Sequence, residues 1–308
     1  MLDTSELTPV ELIGDSLFKR DDLYLPFNDI PLSGGKVRQA INLFQENLDT
    51  ILTKHNKHVV TTNSIQSPQG VIIARCCKEF GVKFTMVING LTTKFNTLLK
   101  HNIIKHILNL DGIVDFSANC NWDAALVNYA KKKYPESFLI KFGINVKNST
   151  CMVDCNANQT RNLPKEIENL IIPVGSGITM AGILKGIKQN NIKVKRVIGV
   201  QISGHDYRKV IDNIVGLEYY RPYEYIVIGS VKQYSTEKEV RLENGVILDP
   251  LYEAKVYDYI LNNRKELLTK DSVFWIVGNA FTVKHEFIAK ENTYSCSDKM
   301  ICLSEQKN

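Results

Sequence analysis

Short apolar runs alternate along this chain with longer amphipathic segments, and this alternation is the feature that most constrains the fold. The runs predicted as strands are KHVVTTN (57–63), VKFTMVI (82–88), GIVDF (112–116), SFLIKF (137–142), NLIIPVGSG with its turn (169–177), VKRVIGVQI (194–202) and SVFWIVG (272–278). Helical patterns follow at 70–81, 93–103, 122–134, 179–189 and 249–268. Apolar strands that alternate with amphipathic helices are typical of parallel sheets covered on both faces.

A polar stretch near 143–165 divides this alternation into two series. Each series has enough strands and helices for a sheet of its own. The sequence therefore predicts an α/β fold with two open, mostly parallel twisted sheets flanked by helices.

The composition is that of a soluble globular protein, with 44% hydrophobic and 23% charged residues among 308. No run approaches the roughly 20 apolar residues of a membrane-spanning helix. The acidic start, MLDTSELTPVELIGD, lacks a secretory pattern, so we expect a cytoplasmic protein. The net charge of +5 is mild and scattered, so nucleic-acid binding is not indicated.

The seven cysteines do not predict a disulfide framework, because their number is odd and Cys76 and Cys77 are adjacent in a predicted helix. Cys151 and Cys155 form a suggestive pair, but no second pair and no nearby histidine completes a zinc site. We therefore expect free thiols and no metal.

A lysine stands at an unusual place in SGGKVRQ (33–39), directly after two glycines and at the start of an apolar helix. A lone lysine is usually a solvated surface group. Glycines, however, let the backbone approach a bound molecule closely. The helix dipole and partial burial would both lower the pKa of Lys36, as an amine nucleophile requires.

A second glycine cluster, IIPVGSGITMAG (171–182), joins a buried strand to a helix. Glycines allow backbone N–H groups to converge there, and the helix N-terminus favours an anion. An ordinary strand-to-helix turn is the alternative interpretation. A nucleophilic lysine and a separate phosphate site together raise the hypothesis of pyridoxal 5'-phosphate, with its aldehyde on Lys36 and its phosphate on 175–179.

A third loop, TTNSIQSPQG (61–70), offers amides and hydroxyls between a predicted strand and a predicted helix. Ligands of open α/β sheets bind at the carboxyl ends of strands. The loop is equally interpreted as a helix cap, with Ser67 at the N-cap and Pro68 at the first helical position.

These segments resemble the fold-type II pyridoxal-phosphate enzymes of the tryptophan synthase β group. Within that group they are similar to the branch of 1-aminocyclopropane-1-carboxylate deaminase and D-cysteine desulfhydrase. The matching segments occur in the same order as in that branch, from residue 19 to about 280. They are KRDDL (19–23), SGGKVRQ (33–39), SIQSPQG (64–70), PVGSGITMAG (173–182) and LDPLYEAK (248–255).

The resemblance implies a smaller domain at 37–146, a larger one formed by 1–36 and 147–308, and a cofactor bound in the cleft between them. It also implies a possible homodimer. The residues to which it gives roles are Lys36 as the Schiff-base lysine, Ser67 and Tyr252 beside the substrate, and Gly175, Ser176, Gly177, Ile178 and Thr179 around the phosphate.

The sequence departs from the family at three places. One is Ile178, where the phosphate loop of the family usually carries a glycine. The family loop usually reads QSNH, and its asparagine supports the ring oxygen of the cofactor. Pro68 and Gln69 stand there instead, and Asn63 is the predicted substitute. For the pyridine nitrogen, Asn279 or Thr282 is the predicted partner.

The function implied by the resemblance is a lyase or deaminase that acts on a small amino acid and releases ammonia and a keto acid. Three alternatives remain open at this point. They are β-replacement or dehydration, chemistry on an amino-acid group attached to a larger molecule such as a modified nucleobase, and a non-catalytic homologue that only binds the cofactor. A pure nucleic-acid or protein-interaction module would leave the lysine and the anion loop unexplained.

Overall fold

The computed structural model describes residues 2–65, 67–90, 99–118, 123–144, 150–204, 206–216, 223–229, 236–278 and 300–301. The chain forms two compact units. Unit 1 comprises Met1–Pro26, Ser33–Gln39 and Thr150–Asn279, and unit 2 comprises Phe27–Leu32, Ala40–Ser149 and Ala280–Asn308.

The elements of the described residues are named here in chain order. The strands are β1 (Val10–Ile13), β2 (Ser16–Arg20), β3 (His58–Thr62), β4 (Lys83–Asn89), β5 (Ile113–Ala118), β6 (Phe138–Ile140), β7 (Glu166–Val174), β8 (Lys193–Gln201), β9 (Glu224–Val227), β10 (Val273–Ile276) and β11 (Met300–Ile301). The α-helices are α1 (Gly35–Lys54), α2 (Gln69–Glu79), α3 (Asn102–Asn109), α4 (Asp123–Lys133), α5 (Cys151–Asn158), α6 (Ile178–Gln189), α7 (Arg208–Val215) and α8 (Glu253–Asn263).

Unit 1 is built on a six-stranded sheet with the order β1-β2-β10-β7-β8-β9. All neighbouring strands are parallel except β1 and β2. The sheet is covered on both faces. One core joins it to α6 and α7 through residues such as Ile183 and Ile211, and the other joins it to α8 through Val256 and Ile260.

Unit 2 contains a parallel sheet with the order β11-β5-β4-β3-β6. The strands carry β-branched and aromatic residues that are almost fully buried, such as Val60, Val87 and Val114. Buried strands of this composition are expected where helices cover a parallel sheet. The predicted fold class, two mostly parallel sheets flanked by helices, is confirmed.

Several element boundaries differ from those predicted. The helix predicted at 249–268 begins only at Glu253 and ends at Asn263, and a 3-10 turn follows at Lys265–Leu267. The polar stretch near 143–165 contains the helix α5. Of the helix predicted at 93–103, residues 93–98 lie outside the described part of the chain, and α3 runs from Asn102 to Asn109. The antiparallel pair β1 and β2 was not predicted.

No helix in the part of the chain that the structure describes is both long and apolar enough to cross a membrane.

Candidate active site

The lysine loop packs its backbone directly against the end of β10. Gly34 has φ of 95°, and a Cβ at this position would lie 2.4 Å from the Cα of Gly278 and 2.5 Å from the carbonyl oxygen of Val277. The N–H of Gly35 donates to the same Val277 oxygen at 2.8 Å. Only glycine fits such a close approach at a positive φ. The pair of glycines therefore fixes where Lys36 enters α1.

The amine of Lys36 lies beside an aromatic ring. Its Nζ is 5.6 Å from the centroid of the Tyr252 ring. The residue as a whole is half-buried, but its ammonium end is desolvated, and this desolvation lowers the pKa of Lys36. The nearby charge of Asp249 opposes the shift without cancelling it. A lowered pKa increases the fraction of neutral amine, which is the nucleophilic form.

The glycine-rich loop after β7 has the geometry of an anion site. Gly177, at φ of 87°, is the N-cap of α6. A Cβ on it would lie 2.8 Å from the side chain of Ile211, so the tight turn needs glycine. The first N–H groups of α6 have no carbonyl partner within the helix, and the helix dipole adds partial positive charge.

Two contacts bring this loop and the lysine helix together within unit 1. A Cβ on Gly175 would lie 3.3 Å from Cε1 of Tyr252, the ring that also lies over Lys36. In addition, Gln39 donates from Nε2 to Oγ1 of Thr179 at 3.0 Å. Amine, aromatic ring and anion loop therefore form one constellation.

A buried carboxyl completes the constellation. Oε1 of Glu253 accepts the backbone N–H groups of Val277 at 2.8 Å and Gly278 at 3.0 Å. Its Oε2 is buried and has no hydrogen-bond partner among the described residues. Desolvation, followed by the charge of Asp249, raises the pKa of Glu253 well above its usual range. The raised pKa favours the neutral carboxyl, which is the form that can donate a proton.

Two of the predicted site residues lie in unit 2. Nδ2 of Asn63 donates to the carbonyl oxygen of Ser67 at 3.2 Å and lies 4.0 Å from Sδ of Met86. The Oδ1 of Asn63 is buried without a partner among the described residues. Oγ of Ser67 accepts the N–H of Gln69 at 3.4 Å. The predicted cap is one residue too early, because Pro68 is the N-cap of α2 and the helix begins at Gln69.

The structure thus brings Lys36, Tyr252 and the 175–179 loop together, and it places Asn63 beside Ser67. Asn279 and Thr282 lie outside the described residues. Sequence reasoning missed Gln39 and Glu253. Glu253 directly follows the matched Tyr252, and a carboxyl in that position was the available signal. Among the described residues no cluster of three histidine, cysteine, aspartate or glutamate side chains could hold a metal.

No family model matches the chain. An O-seryl-dTMP PLP-dependent decarboxylase of Salmonella phage ViI is 23% identical, and the match covers 88% of this chain and 81% of the relative. Among solved structures, an ACC deaminase homologue superposes with a TM-score of 0.68 at 20% identity, over 92% of this chain and 93% of that one. An O-acetylserine-dependent cystathionine beta-synthase from Helicobacter pylori gives 0.62 at 16% identity, over 90% and 94%.

The chain has the fold of the fold-type II pyridoxal-phosphate enzymes. The resemblance predicted from the motifs is confirmed at this level.

The residues of the constellation fit the cofactor of fold-type II enzymes in three respects. Lys36 offers an amine of lowered pKa, and the start of α6 offers backbone donors for a phosphate. Oε2 of Glu253 is a buried polar atom that still lacks a partner among the described residues. A protein rarely buries such an atom without a function or a ligand to satisfy it.

Proposed function

We propose that the chain is a lyase that uses pyridoxal 5'-phosphate to break a bond at the α-carbon of an amino-acid group. Lys36 holds the cofactor covalently, and the loop from Gly175 to Thr179 holds its phosphate. One observation carries the proposal: the ring of Tyr252 lies near both the amine of Lys36 and Gly175, which supports a single site for the amine and the anion loop.

The cofactor supplies a ring that stabilises negative charge on the α-carbon of the substrate. The chain supplies the groups around it. Lys36, because its pKa is lowered, can accept and return a proton at the α-carbon. We assign Glu253 to the ring nitrogen, since its Oε2 is buried and without a partner among the described residues. Ser67 keeps its predicted role toward the substrate, and Asn63 positions the Ser67 loop by donating from Nδ2 to the Ser67 carbonyl oxygen at 3.2 Å.

The first candidate reaction is elimination or deamination of a small amino acid. The α-carbon loses a proton, a substituent leaves from the neighbouring carbon, and water hydrolyses the resulting enamine to ammonia and a keto acid. The similarity to an ACC deaminase homologue supports this candidate.

A second candidate is favoured by the phage relative, whose name gives a decarboxylase acting on O-seryl-dTMP. In this reaction an amino-acid group carried on a nucleotide loses its carboxylate as CO2, and a proton takes its place on the α-carbon. Both candidates need the same lysine and the same cofactor, and they differ in the bond that breaks and in the size of the substrate.

The first experiment tests the cofactor and its lysine. Purified wild-type chain should show the visible absorbance band of lysine-bound pyridoxal phosphate, and borohydride reduction followed by peptide mapping should place the cofactor on Lys36. Lys36→Ala should lose the band, whereas Lys193→Ala, at a well-exposed lysine, should keep it. A band that survives in Lys36→Ala would contradict the proposal.

The second experiment separates the reactions. D- and L-amino acids are supplied in one panel and O-seryl-dTMP, labelled in its carboxylate, in another. Release of ammonia and keto acid from the first panel supports elimination or deamination, and labelled CO2 from the second supports decarboxylation. A chain that binds the cofactor and turns over neither panel would instead be the non-catalytic homologue.

A further inference from the structure

Gln39 links the lysine helix to the anion loop. It is 2% exposed and lies three residues after Lys36, on the next turn of α1. Its Nε2 donates to Oγ1 of Thr179, which belongs to the first turn of α6. Residues three apart on a helix share a face, so Gln39 and Lys36 are directed toward the same side of α1.

The direction of this hydrogen bond determines whether the hydroxyl of Thr179 is free to donate its proton to another group. A threonine hydroxyl has one proton to donate and two lone pairs that accept. Because the amide of Gln39 donates to the oxygen, it occupies a lone pair and leaves the hydroxyl proton for another acceptor. A phosphate has oxygens that accept hydrogen bonds, and bonds to such charged groups are stronger than neutral ones. Gln39 thereby makes Thr179 a donor at the end of α6 where an anion is favoured.

We propose that Gln39 is a positioning residue for the phosphate end of the cofactor. It orients the hydroxyl of Thr179 toward the phosphate and fixes the separation between the lysine helix and the phosphate loop. The two ends of one small rigid molecule attach to these two elements, so their separation sets the affinity. This inference rests on the proposed function.

Gln39→Glu tests the orientation, because a carboxylate has the shape of the amide but can only accept. Thr179 would then donate to the introduced carboxylate, and a negative charge would stand near the phosphate. We expect the dissociation constant for pyridoxal phosphate to rise by tenfold or more, and the phosphorus NMR signal of the bound cofactor to shift. Gln39→Met, which removes the donor without adding a charge, should raise the dissociation constant less and covers the case in which Gln39→Glu fails to fold.

Two controls isolate the phosphate end. Gln189→Glu makes the same charge change at an exposed position on the last turn of α6 and should leave the affinity unchanged. Pyridoxal, which has the aldehyde but no phosphate, should bind the wild-type chain and Gln39→Met with equal affinity. A double-mutant cycle of Gln39→Met with Thr179→Val should give non-additive losses, because both changes remove the same hydrogen bond.

The outcomes are distinct. If the wild-type chain takes up no pyridoxal phosphate, both the proposed function and this inference are overturned. If it does, and Gln39→Glu and Gln39→Met bind pyridoxal phosphate as tightly as wild type, the inference alone is wrong. It is also wrong if the Gln39→Met loss is equally large with pyridoxal, since Gln39 would then act on the lysine end or on the fold.

Discussion

Gly34→Ala should destabilise the chain much more than an alanine at another glycine of similar φ. Gly34 has φ of 95° and Gly245 has φ of 89°, so an alanine is strained at both. The two glycines differ in the atoms that surround them. A Cβ on Gly34 would lie 2.4 Å from the backbone of Gly278, whereas a Cβ on Gly245 has no neighbour among the described residues within 4 Å.

The structure allows the loss in free energy of unfolding to be compared between Gly34→Ala and Gly245→Ala. A left-handed backbone costs an L-residue about 1–2 kcal/mol, and this term is common to both variants. Extra atoms forced into a packed region add about 1–3 kcal/mol. At Gly34 the obstructing atoms are backbone atoms just beyond the end of β10, which cannot rotate away as a flexible side chain can. We therefore expect a loss of about 2–5 kcal/mol for Gly34→Ala and about 1–2 kcal/mol for Gly245→Ala.

Urea unfolding followed by circular dichroism measures both losses, provided that the slope with urea is the same in all three proteins. Gly34→Ala should also take up less pyridoxal phosphate, because the displaced loop carries Lys36. If the two variants lose the same stability, the close approach of Gly34 to the end of β10 contributes nothing, and the explanation for the glycine pair is wrong.

Three further changes test buried polar groups by urea unfolding. The raised pKa of Glu253 favours its protonated form in the folded chain, so the free energy of unfolding of the wild type should fall as the pH rises above about 4.5. Glu253→Gln should remove this fall. If the free energies of unfolding of wild type and variant change in parallel with pH, the explanation is wrong. Burial lowers the pKa of Lys19 to about 8 from 10.5, so wild type should gain stability between these values, and Lys19→Met should not. Gln69→Leu should cost about 2–4 kcal/mol, since it leaves the buried N–H of Gly143 without its acceptor; a loss under about 1 kcal/mol would refute this.

The sequence predicted the elements whose pattern is local. Strands such as β7 and β8 are continuous apolar runs, and their periodicity is visible without knowledge of their partners. The pair β1 and β2 was missed because β2 ends in Lys19 and Arg20, which look like solvent-facing residues. In the structure Nζ of Lys19 donates to the carbonyl of Thr8 and to Oδ1 of Asn162, and such partners far apart in sequence cannot be predicted from a pattern.

The helix α5 was missed for a related reason. It has only eight residues, and it lies within a stretch whose polar residues predict a break. Its packing depends on small residues of another helix. A Cβ on Gly182 would lie 2.5 Å from Cβ of Asn156, and one on Gly186 would lie 2.5 Å from the carbonyl oxygen of Ala157. Two glycines four residues apart on one face of α6 indicate a close helix neighbour, and this signal was present in the sequence.

The residues of the candidate site also differ in whether their sequence signal is local or depends on the fold. Lys36 and the 175–179 loop were predicted because glycines mark both helix entrances in the sequence. Gln39 and Glu253 were not, because their importance depends on groups brought close only by folding. Gln39 meets Thr179, and Glu253 meets the backbone N–H of Val277. Sequence reasoning therefore found the lysine and the anion loop, whose signals are local, and missed Gln39 and Glu253, whose contacts form only on folding.

Pro68 and Gln69 depart from the family loop, and the structure gives Gln69 a role within unit 2. Gln69 donates to Thr61 and to the carbonyl of Lys141, and its Oε1 accepts the N–H groups of Gly143 and Ile144. This side chain is committed to fixing a loop of unit 2.

Asn63, the predicted partner of the ring oxygen, directs Nδ2 to Ser67 and leaves an acceptor, Oδ1, without a partner among the described residues. An acceptor cannot donate to the ring oxygen, so in this arrangement Asn63 holds the Ser67 loop instead. Lys36 and the anion loop belong to unit 1 and are untouched by these changes. Cofactor uptake should therefore survive Asn63→Ala, while the choice of substrate should change. If Asn63→Ala loses the ability to take up pyridoxal phosphate, Asn63 binds the cofactor and this explanation is wrong.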